Sequence, residues 1–250
     1  MEQGVQISVA GHCDVAERVS RGRQSQSREG TFRHRSHAET FRLAEAMRPR
    51  LHPVASRACA SPRMELPIRT LDVIGSLLIL IVAMPVMLVV ATLIKLTSRG
   101  PILYRQERVG KSGKIFALYK FRTMVNDAEK YVGPVLAAKD DDRVTAVGRI
   151  LRRMRLDELP QLYNILRGDM SLVGPRPERP YFVSRHTALQ GVRLSVKPGL
   201  TGLAQVRSFY DLKPAHKVRY DYLYIQKRSL LLNIYILLQT IPVLFAKKGW

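Results

Sequence analysis

Between Arg152 and Gln161 the chain reads Arg-Arg-Met-Arg-Leu-Asp-Glu-Leu-Pro-Gln, which sets two adjacent carboxylates, Asp157 and Glu158, directly after three arginines. A carboxylate that must approach phosphorus is repelled by the phosphate it attacks, and neighbouring guanidinium groups offset that repulsion. Further on comes Gly174-Pro175-Arg176-Pro177. Prolines on both sides of Arg176 stiffen the backbone that presents its guanidinium, so little entropy is lost on binding a phosphate or a base. An acidic pair also occurs at helix starts for structural reasons alone, since it stabilises the macrodipole by about 0.3–1 kcal/mol. The flanking arginines and the proline-framed Arg176 favour chemistry over that reading. Adjacent helical side chains diverge by about 100°, a poor geometry for sharing one proton as an aspartic-protease dyad does. Distinct roles follow: one carboxylate attacks phosphorus, and the other holds a divalent cation or manages a proton.

Other chemical candidates are weaker. Asp140-Asp141-Asp142 has the composition of a nucleotide-sugar metal motif, but it precedes Arg143-Val144-Thr145 at a helix start, and capping is the favoured reading. Gly110-Lys111-Ser112-Gly113 is too short and wrongly placed for a P-loop. His34 and His37 form a close pair with no further ligands near them, which argues against zinc. No Ser-His or Cys-His nucleophile pair is visible.

The elements that must position the carboxylates can be read from periodicity. Val144, Val147, Leu151 and Met154 fall at helical spacing with Arg149, Arg152 and Arg153 off that stripe, predicting an amphipathic basic helix over 144–155. A second helix is expected to start near Asp157 as N-cap, with Pro160 in its first turn and Gly168 at its end. Upstream, 101–106 and 114–121 read as two strands of a β-hairpin around Gly110-Lys111-Ser112-Gly113. Leu230–Phe245 is almost wholly aliphatic but short for a membrane span, which suits an interfacial or core helix.

From Val73 to Ile94 no residue is charged, and 22 residues at about 1.5 Å each suffice to cross a roughly 30 Å hydrocarbon core. Pro85 near the middle invites a break. Both flanks are basic, with Arg57, Arg63 and Arg69 before and Lys95, Arg99, Arg105 and Arg108 after, which draws both ends to the cytoplasmic face. On these residues alone, a helix-break-helix hairpin that enters and leaves one leaflet stands level with a spanning helix.

The whole chain of 250 residues carries a net charge of +21, which calls for an anionic partner: nucleic acid, membrane surface or phosphorylated small molecule. Eleven basic and 7 acidic residues lie in 1–65, against 30 and 13 in 66–250, so the excess sits beside and beyond the apolar run. Cys13 and Cys59 are the only cysteines, both in the N-terminal stretch, so no disulfide framework staples the core. Residues 1–62 read as a disordered basic extension, with Glu39–Met47 as a short helix and Met64 as an alternative translation start. The expected division is 1–62 extension, 63–99 membrane hairpin and 100–250 catalytic domain.

Residues 66–250 resemble the bacterial sugar transferase family, the small monotopic phosphoglycosyl transferases. The likeness runs through Tyr104-Arg105-Gln106-Glu107-Arg108-Val109-Gly110, Tyr119-Lys120-Phe121-Arg122-Thr123-Met124, Arg152 to Gln161, and Ser171-Leu172-Val173-Gly174-Pro175-Arg176-Pro177. It continues in Lys197-Pro198-Gly199-Leu200-Thr201-Gly202 and Tyr220-Asp221-Tyr222. The resemblance implies an α/β fold, a cytoplasmic domain on a re-entrant helix of the bacterial inner membrane, with amphipathic interfacial helices. It implies transfer of a sugar 1-phosphate from a UDP-sugar to undecaprenyl phosphate, with Mg²⁺ and release of UMP, at the start of exopolysaccharide or other surface glycan assembly. By the same resemblance Asp157 is the nucleophile that forms a covalent phosphosugar, Glu158 its partner carboxylate, and both are placed at the metal. Arg152 matches the phosphate-binding arginine, and Pro175-Arg176-Pro177 the uridine loop. Membrane lipids are implied partners, and a homo-oligomer is compatible with the sequence.

After Gly202-Leu203-Ala204-Gln205-Val206 the chain reads Arg207-Ser208-Phe209-Tyr210 where many members have a Gly-Arg turn, so contacts there differ. Nucleic acid is a poor alternative partner, because the basic residues beyond 95 are interleaved with acidic ones and no recognised nucleic-acid motif occurs. A non-catalytic membrane scaffold is the other alternative, and retention of Asp157, Glu158 and Arg176 argues against it. The hexose is not set by these residues.

Overall fold

The computed structural model describes residues 62–126, 128, 141–207 and 214–245. The N-terminal extension expected over 1–62, with its cysteines, His34, His37 and the Glu39–Met47 segment, lies outside the described residues, apart from Pro62.

The apolar run is the centre of one long helix, α1 (Pro62–Thr97), with Pro67 and Pro85 inside it. The two half-helices expected on either side of Pro85 are therefore joined; proline removes one ladder hydrogen bond without ending an apolar helix. Burial along α1 is uneven. Ile68, Asp72 and Ser76 are buried at i, i+4, i+8 spacing, and Val90 and Ile94 again at i, i+4. Between them Leu77, Leu78, Ile79, Ile81, Val82, Met84, Val86, Leu88 and Val89 are exposed. Leu80, Ala83 and Met87 are half-buried on a narrow stripe, with Leu80 and Met87 touching the cores, but the rest of this middle stretch is exposed, and only 17% of the most apolar window is buried.

The expected hairpin forms from β1 (Leu103–Val109) and β2 (Ile115–Phe121), antiparallel, with Gln106 opposite Leu118 and a 3₁₀ turn at Lys111–Gly113 between them. Ser112 there takes φ 57°, a left-handed turn conformation. Helix α2 (Ala146–Met154) follows; Thr145 is its N-cap and accepts from the Gly148 N–H at 2.9 Å. Arg155 at φ 56° ends it, and a single 3₁₀ turn, Leu156–Glu158, carries both carboxylates. The next helix, α3 (Gln161–Arg167), begins after Pro160 and closes on Gly168 at φ 95°. The expected N-cap role of Asp157 is thus corrected. The left-handed Arg155 turns the chain too tightly for α-helix to restart before Gln161.

Strands β3 (Ser171–Val173) and β4 (Gly199–Thr201) pair in parallel, joined through α4 (Pro180–Arg185) and 3₁₀ turns at Thr187–Leu189 and Gly191–Ser195. Three helices follow: α5 (Leu203–Arg207), α6 (Pro214–Lys227) and α7 (Leu230–Phe245), the last with the bounds read from the sequence. Helices dominate and the sheets are small, so the expected α/β class holds in its coarse form. The main core gathers Phe116, Leu118, Leu162, Ile165, Met170, Leu172, Val173, Tyr224 and Ile236 from several elements. Each such side chain contributes about 1.5–3 kcal/mol by burial. In α7, Asn233 and Ile236 face this core, while Leu231, Leu238 and Ile241 remain exposed. That two-sided character is what an interfacial helix presents.

Candidate functional site

Asn164 sets the site on the fold. It is fully buried in α3; its Nδ2 donates to the Ala117 carbonyl at 2.7 Å and its Oδ1 accepts from the Tyr119 N–H at 3.1 Å. The side chain thus completes the free edge of β2 as a third strand would. This clamp fixes α3, and with it the preceding 3₁₀ turn, against the strand that carries Lys120.

Lys120 meets both carboxylates, but unequally. Its Nζ donates to Glu158 Oε1 at 3.0 Å and lies 3.9 Å from Asp157 Oδ2, beyond hydrogen-bond reach. Arg176 Nη2 donates to the same Glu158 Oε1 at 2.6 Å. Both carboxylates are buried, at 8% and 9% exposure. Burial pushes the Asp157 carboxyl up, Lys120 pulls it back, the Glu158 charge pushes it further up, and the net displacement is upward. Burial acts the same way on Glu158, but there the charges and hydrogen bonds of Arg176 and Lys120 win and hold it well below the usual carboxylate range. The pair is therefore split into a firmly ionised Glu158 and an Asp157 whose charge meets no direct hydrogen bond among the described residues.

Arg152 lies in the last turn of α2 and donates from Nε to Thr123 Oγ1 at 2.9 Å, while its charge acts on Asp157. The approach of α2 to Thr123 depends on Gly148: a Cβ there would lie 2.0 Å from the Thr123 carbonyl oxygen. Pro175 and Pro177 are buried, and the loop between them is gripped by its carbonyls. Arg193 Nη2 donates to the Arg176 carbonyl at 2.5 Å, Arg108 Nη1 donates to the Pro177 carbonyl at 3.0 Å, and Asp221 Oδ2 fixes Arg193 at 2.9 Å. Burial pulls the Arg108 guanidinium down to about 10. Beneath the loop the backbones of Gly174 and Gly199 touch, a Cβ on Gly199 falling 2.0 Å from the Gly174 nitrogen.

The sequence-derived set therefore converges: Asp157, Glu158 and Arg176 meet directly, with Arg152 beside them through Thr123. Lys120, Thr123, Asn164, Arg193 and Asp221 belong to the same site and were assigned no role from the sequence. Lys120, Thr123 and Asp221 do stand in motifs that carry the family resemblance, which was the signal available. Asp141, from the acidic triplet, accepts from the Arg143 backbone and guanidinium, with Arg143 holding it down to about 2. Asp141 thus closes a local turn with Arg143 while Thr145 caps α2, which corrects the expected capping of that helix by the acidic triplet; Asp140 lies outside the described residues. Among the described residues no cluster of three or more metal-ligating side chains occurs. Both cations bond one oxygen of Glu158, so Glu158 Oε2 and the Asp157 carboxylate make no hydrogen bond among the described residues. Two such hard oxygen donors, completed by substrate phosphates, fit a Mg²⁺ ion.

Residues 64–247 match the sequence profile of the bacterial sugar transferase family. Among relatives, a UDP-N-acetylgalactosamine-undecaprenyl-phosphate N-acetylgalactosaminephosphotransferase of Aeromonas hydrophila is 41% identical over 187 residues, covering 72% of this chain and 44% of that protein. An undecaprenyl-phosphate galactose phosphotransferase of Salmonella typhimurium is 40% identical over 196 residues, covering 72% and 41%. The exopolysaccharide production protein ExoY of Sinorhizobium fredii is 37% identical over 195 residues, covering 72% and 86%. The chain thus spans less than half the length of the first two and most of the third.

Proposed function

The chain belongs to the bacterial sugar transferase family, and on that premise we propose that it transfers a sugar 1-phosphate from a UDP-sugar to undecaprenyl phosphate. The observation that carries the mechanism is the unequal pairing of the two carboxylates. Glu158 is spent between Arg176 and Lys120, whereas Asp157 sits in the same cationic field, 3.9 Å from Lys120, with no hydrogen bond to its oxygens among the described residues. An Asp157 oxygen attacks the β-phosphorus of the UDP-sugar; the bond from that phosphorus to the bridging oxygen breaks, and UMP leaves with the electron pair. A phosphate oxygen of the lipid then attacks the same phosphorus, the bond to Asp157 breaks, and the carboxylate is restored as the lipid diphosphosugar forms. Lys120, Arg152 and Arg176 balance the charge that gathers at phosphorus, and Glu158 keeps Lys120 and Arg176 in place. Asp157 and Glu158 would hold Mg²⁺ with the diphosphate, where the ion supplies further charge neutralisation. The Pro175-Arg176-Pro177 loop is assigned to the uridine nucleotide.

We further assign α1 to a re-entrant path in the inner membrane, with the catalytic domain on the cytoplasmic side. Both ends of α1 pack on the same domain, Ile68 and Asp72 on one part and Val90 and Ile94 on another, while most of the apolar middle is exposed. A full crossing would carry the ends to opposite faces of a roughly 30 Å core, where one domain cannot hold both. The relatives are named for N-acetylgalactosamine, galactose and glucose, so the family sets the reaction and leaves the sugar to be measured.

The test is a mass measurement. Purified protein given a panel of UDP-sugars and Mg²⁺ without lipid acceptor should release UMP and gain one sugar phosphate on the peptide containing Asp157. Asp157→Asn should abolish both the adduct and turnover; an adduct trapped on another residue would overturn the assignment.

A further inference from the structure

Among the described residues Arg122 is a buried cation with no anion. It follows β2, is 6% exposed, and forms no ion pair with any Asp or Glu among the described residues. Its Nη2 donates to the Ser98 carbonyl at 2.9 Å and to Ser98 Oγ at 2.7 Å, at the C-terminal end of α1. Nε and Nη1 are buried with no hydrogen-bond partner among the described residues. A helix C-terminus supplies only about half a negative charge, and a buried guanidinium left otherwise unpaired is costly. The site is nonetheless built for this side chain. Gly100 stands at φ 121°, and a Cβ there would lie 2.2 Å from Arg122 Nη1, so a glycine at this position makes room for the guanidinium. Gly100, which lies against Nη1, is exposed, as are Pro101 and Asn126.

The position narrows the ligand. Arg122 lies two residues from Lys120, about 6–7 Å along an extended backbone, and next to Thr123, which Arg152 holds. On its other side is the exit of the apolar helix, with Leu93 and Leu96 exposed at 43% and 78%. A ligand that joins a phosphate to a long hydrocarbon chain would set its head at Arg122 and its tail along these leucines.

Resting on the proposed reaction, we infer that Arg122 docks the phosphate of the polyprenyl acceptor, on the side of the site opposite the nucleotide loop. Docking requires the turn formed by Ser98, Arg99, Gly100 and Pro101 to part enough for a phosphate oxygen to reach Nη1. The two half-reactions separate this role from others. In neutral phosphatidylcholine nanodiscs, Arg122→Gln should form the Asp157 adduct from UDP-sugar at the wild-type rate. Discharge of that adduct should need at least about tenfold more undecaprenyl phosphate for half-saturation, with Arg122→Lys intermediate. Gly100→Ala, which retains Arg122 but displaces its guanidinium, should show the same acceptor-specific defect. An unchanged acceptor requirement in Arg122→Gln overturns the inference. So does an equal loss of both half-reactions in Arg122→Gln and Arg122→Lys, which marks Arg122 as a helix cap only. An acceptor defect that appears only when phosphatidylglycerol is added also overturns it, since the group bound is then a phospholipid headgroup. Failure of the wild-type protein to form any adduct would instead remove the reaction itself.

Discussion

Asp157→Asn and Glu158→Gln, neighbouring substitutions of the same kind, should move stability in opposite directions. Glu158 Oε1 accepts from Arg176 at 2.6 Å and Lys120 at 3.0 Å in a site 9% exposed. Removing one partner of a buried ion pair costs about 3–5 kcal/mol. The Arg176 side chain is 39% exposed, so water recovers part of its charge and the expected loss falls to about 2–3 kcal/mol. At roughly 2–4 °C per kcal/mol for a domain of this size, Glu158→Gln should lower Tm by about 4–12 °C. Asp157 is the reverse case, because the cost of burying its charge outweighs the attraction of Lys120 at 3.9 Å, and Asp157→Asn should raise Tm at pH 7. The pH dependence follows the same signs. Glu158 is depressed, so its contribution is fully present above its ordinary value of 4.5 and is lost as pH falls through the folded value. Asp157 is raised, so its contribution is present below 3.8 and is lost as pH rises through its folded value. Thermal unfolding in detergent from pH 3 to 8, followed by circular dichroism for wild type and both variants, measures this directly. A Glu158→Gln protein within 1 °C of wild type, or an Asp157→Asn protein less stable than Glu158→Gln, would refute the assignment of the two roles.

Three further outcomes are expected. Adduct formation should rise with pH through an apparent value above the ordinary 3.8 of an aspartate, because Asp157 attacks only when ionised; a rapid-quench pH profile flat down to pH 4 would contradict this. Gly148→Ala should destabilise by about 3 kcal/mol or more and remove activity, since its Cβ meets the Thr123 backbone at 2.0 Å and α2 must move away with Arg152; near-normal Tm and turnover would show that the contact yields. Cysteines placed at Thr70 and Arg99 should both react with an impermeant thiol reagent from the cytoplasmic side only, and labelling from opposite sides would establish a spanning α1.

Much of the candidate site was legible because the carboxylates and several of the cations it brings together are close in sequence. Asp157 and Glu158 with their arginines occupy one short segment, and the prolines around Arg176 announce a rigid loop. The local geometry was less accessible. The acidic pair reads as a helix start, but Arg155 adopts a left-handed conformation that no periodicity signals, and the carboxylates end on a 3₁₀ turn. Asn164 was hidden for a different reason: its polar side chain on a helix reads as solvent-facing until the bare edge of β2 is seen beside it. The grip of Arg108 and Arg193 on the loop carbonyls depends on contacts 69 and 17 residues apart in the chain, which spacing does not reveal. Hydropathy marked the apolar centre of α1 and the bounds of α7, whereas the extension of α1 to Pro62–Thr97 and the packing of both its ends on one domain are tertiary facts.

Arg69 donates from Nη1 and Nη2 to the carbonyls of Ile165 and Leu166, at 2.6 and 2.7 Å, and Asp72 Oδ1 accepts from Ser171 Oγ and the Leu172 N–H, at 2.9 and 2.8 Å. The first turns of α1 thus satisfy the open end of α3 and the start of β3. With only seven residues, α3 is far below the length at which a helix stands by itself. Trimming α1 to obtain a water-soluble enzyme would therefore uncap the helix that carries Asn164 and leave a buried N–H at Leu172 without an acceptor, a cost of about 1–3 kcal/mol for that group alone. Solubilisation is better sought by exchanging exposed apolar residues of 77–89 for polar ones, with the segment through Ser76 left whole, because the anchor and the catalytic body are one folding unit.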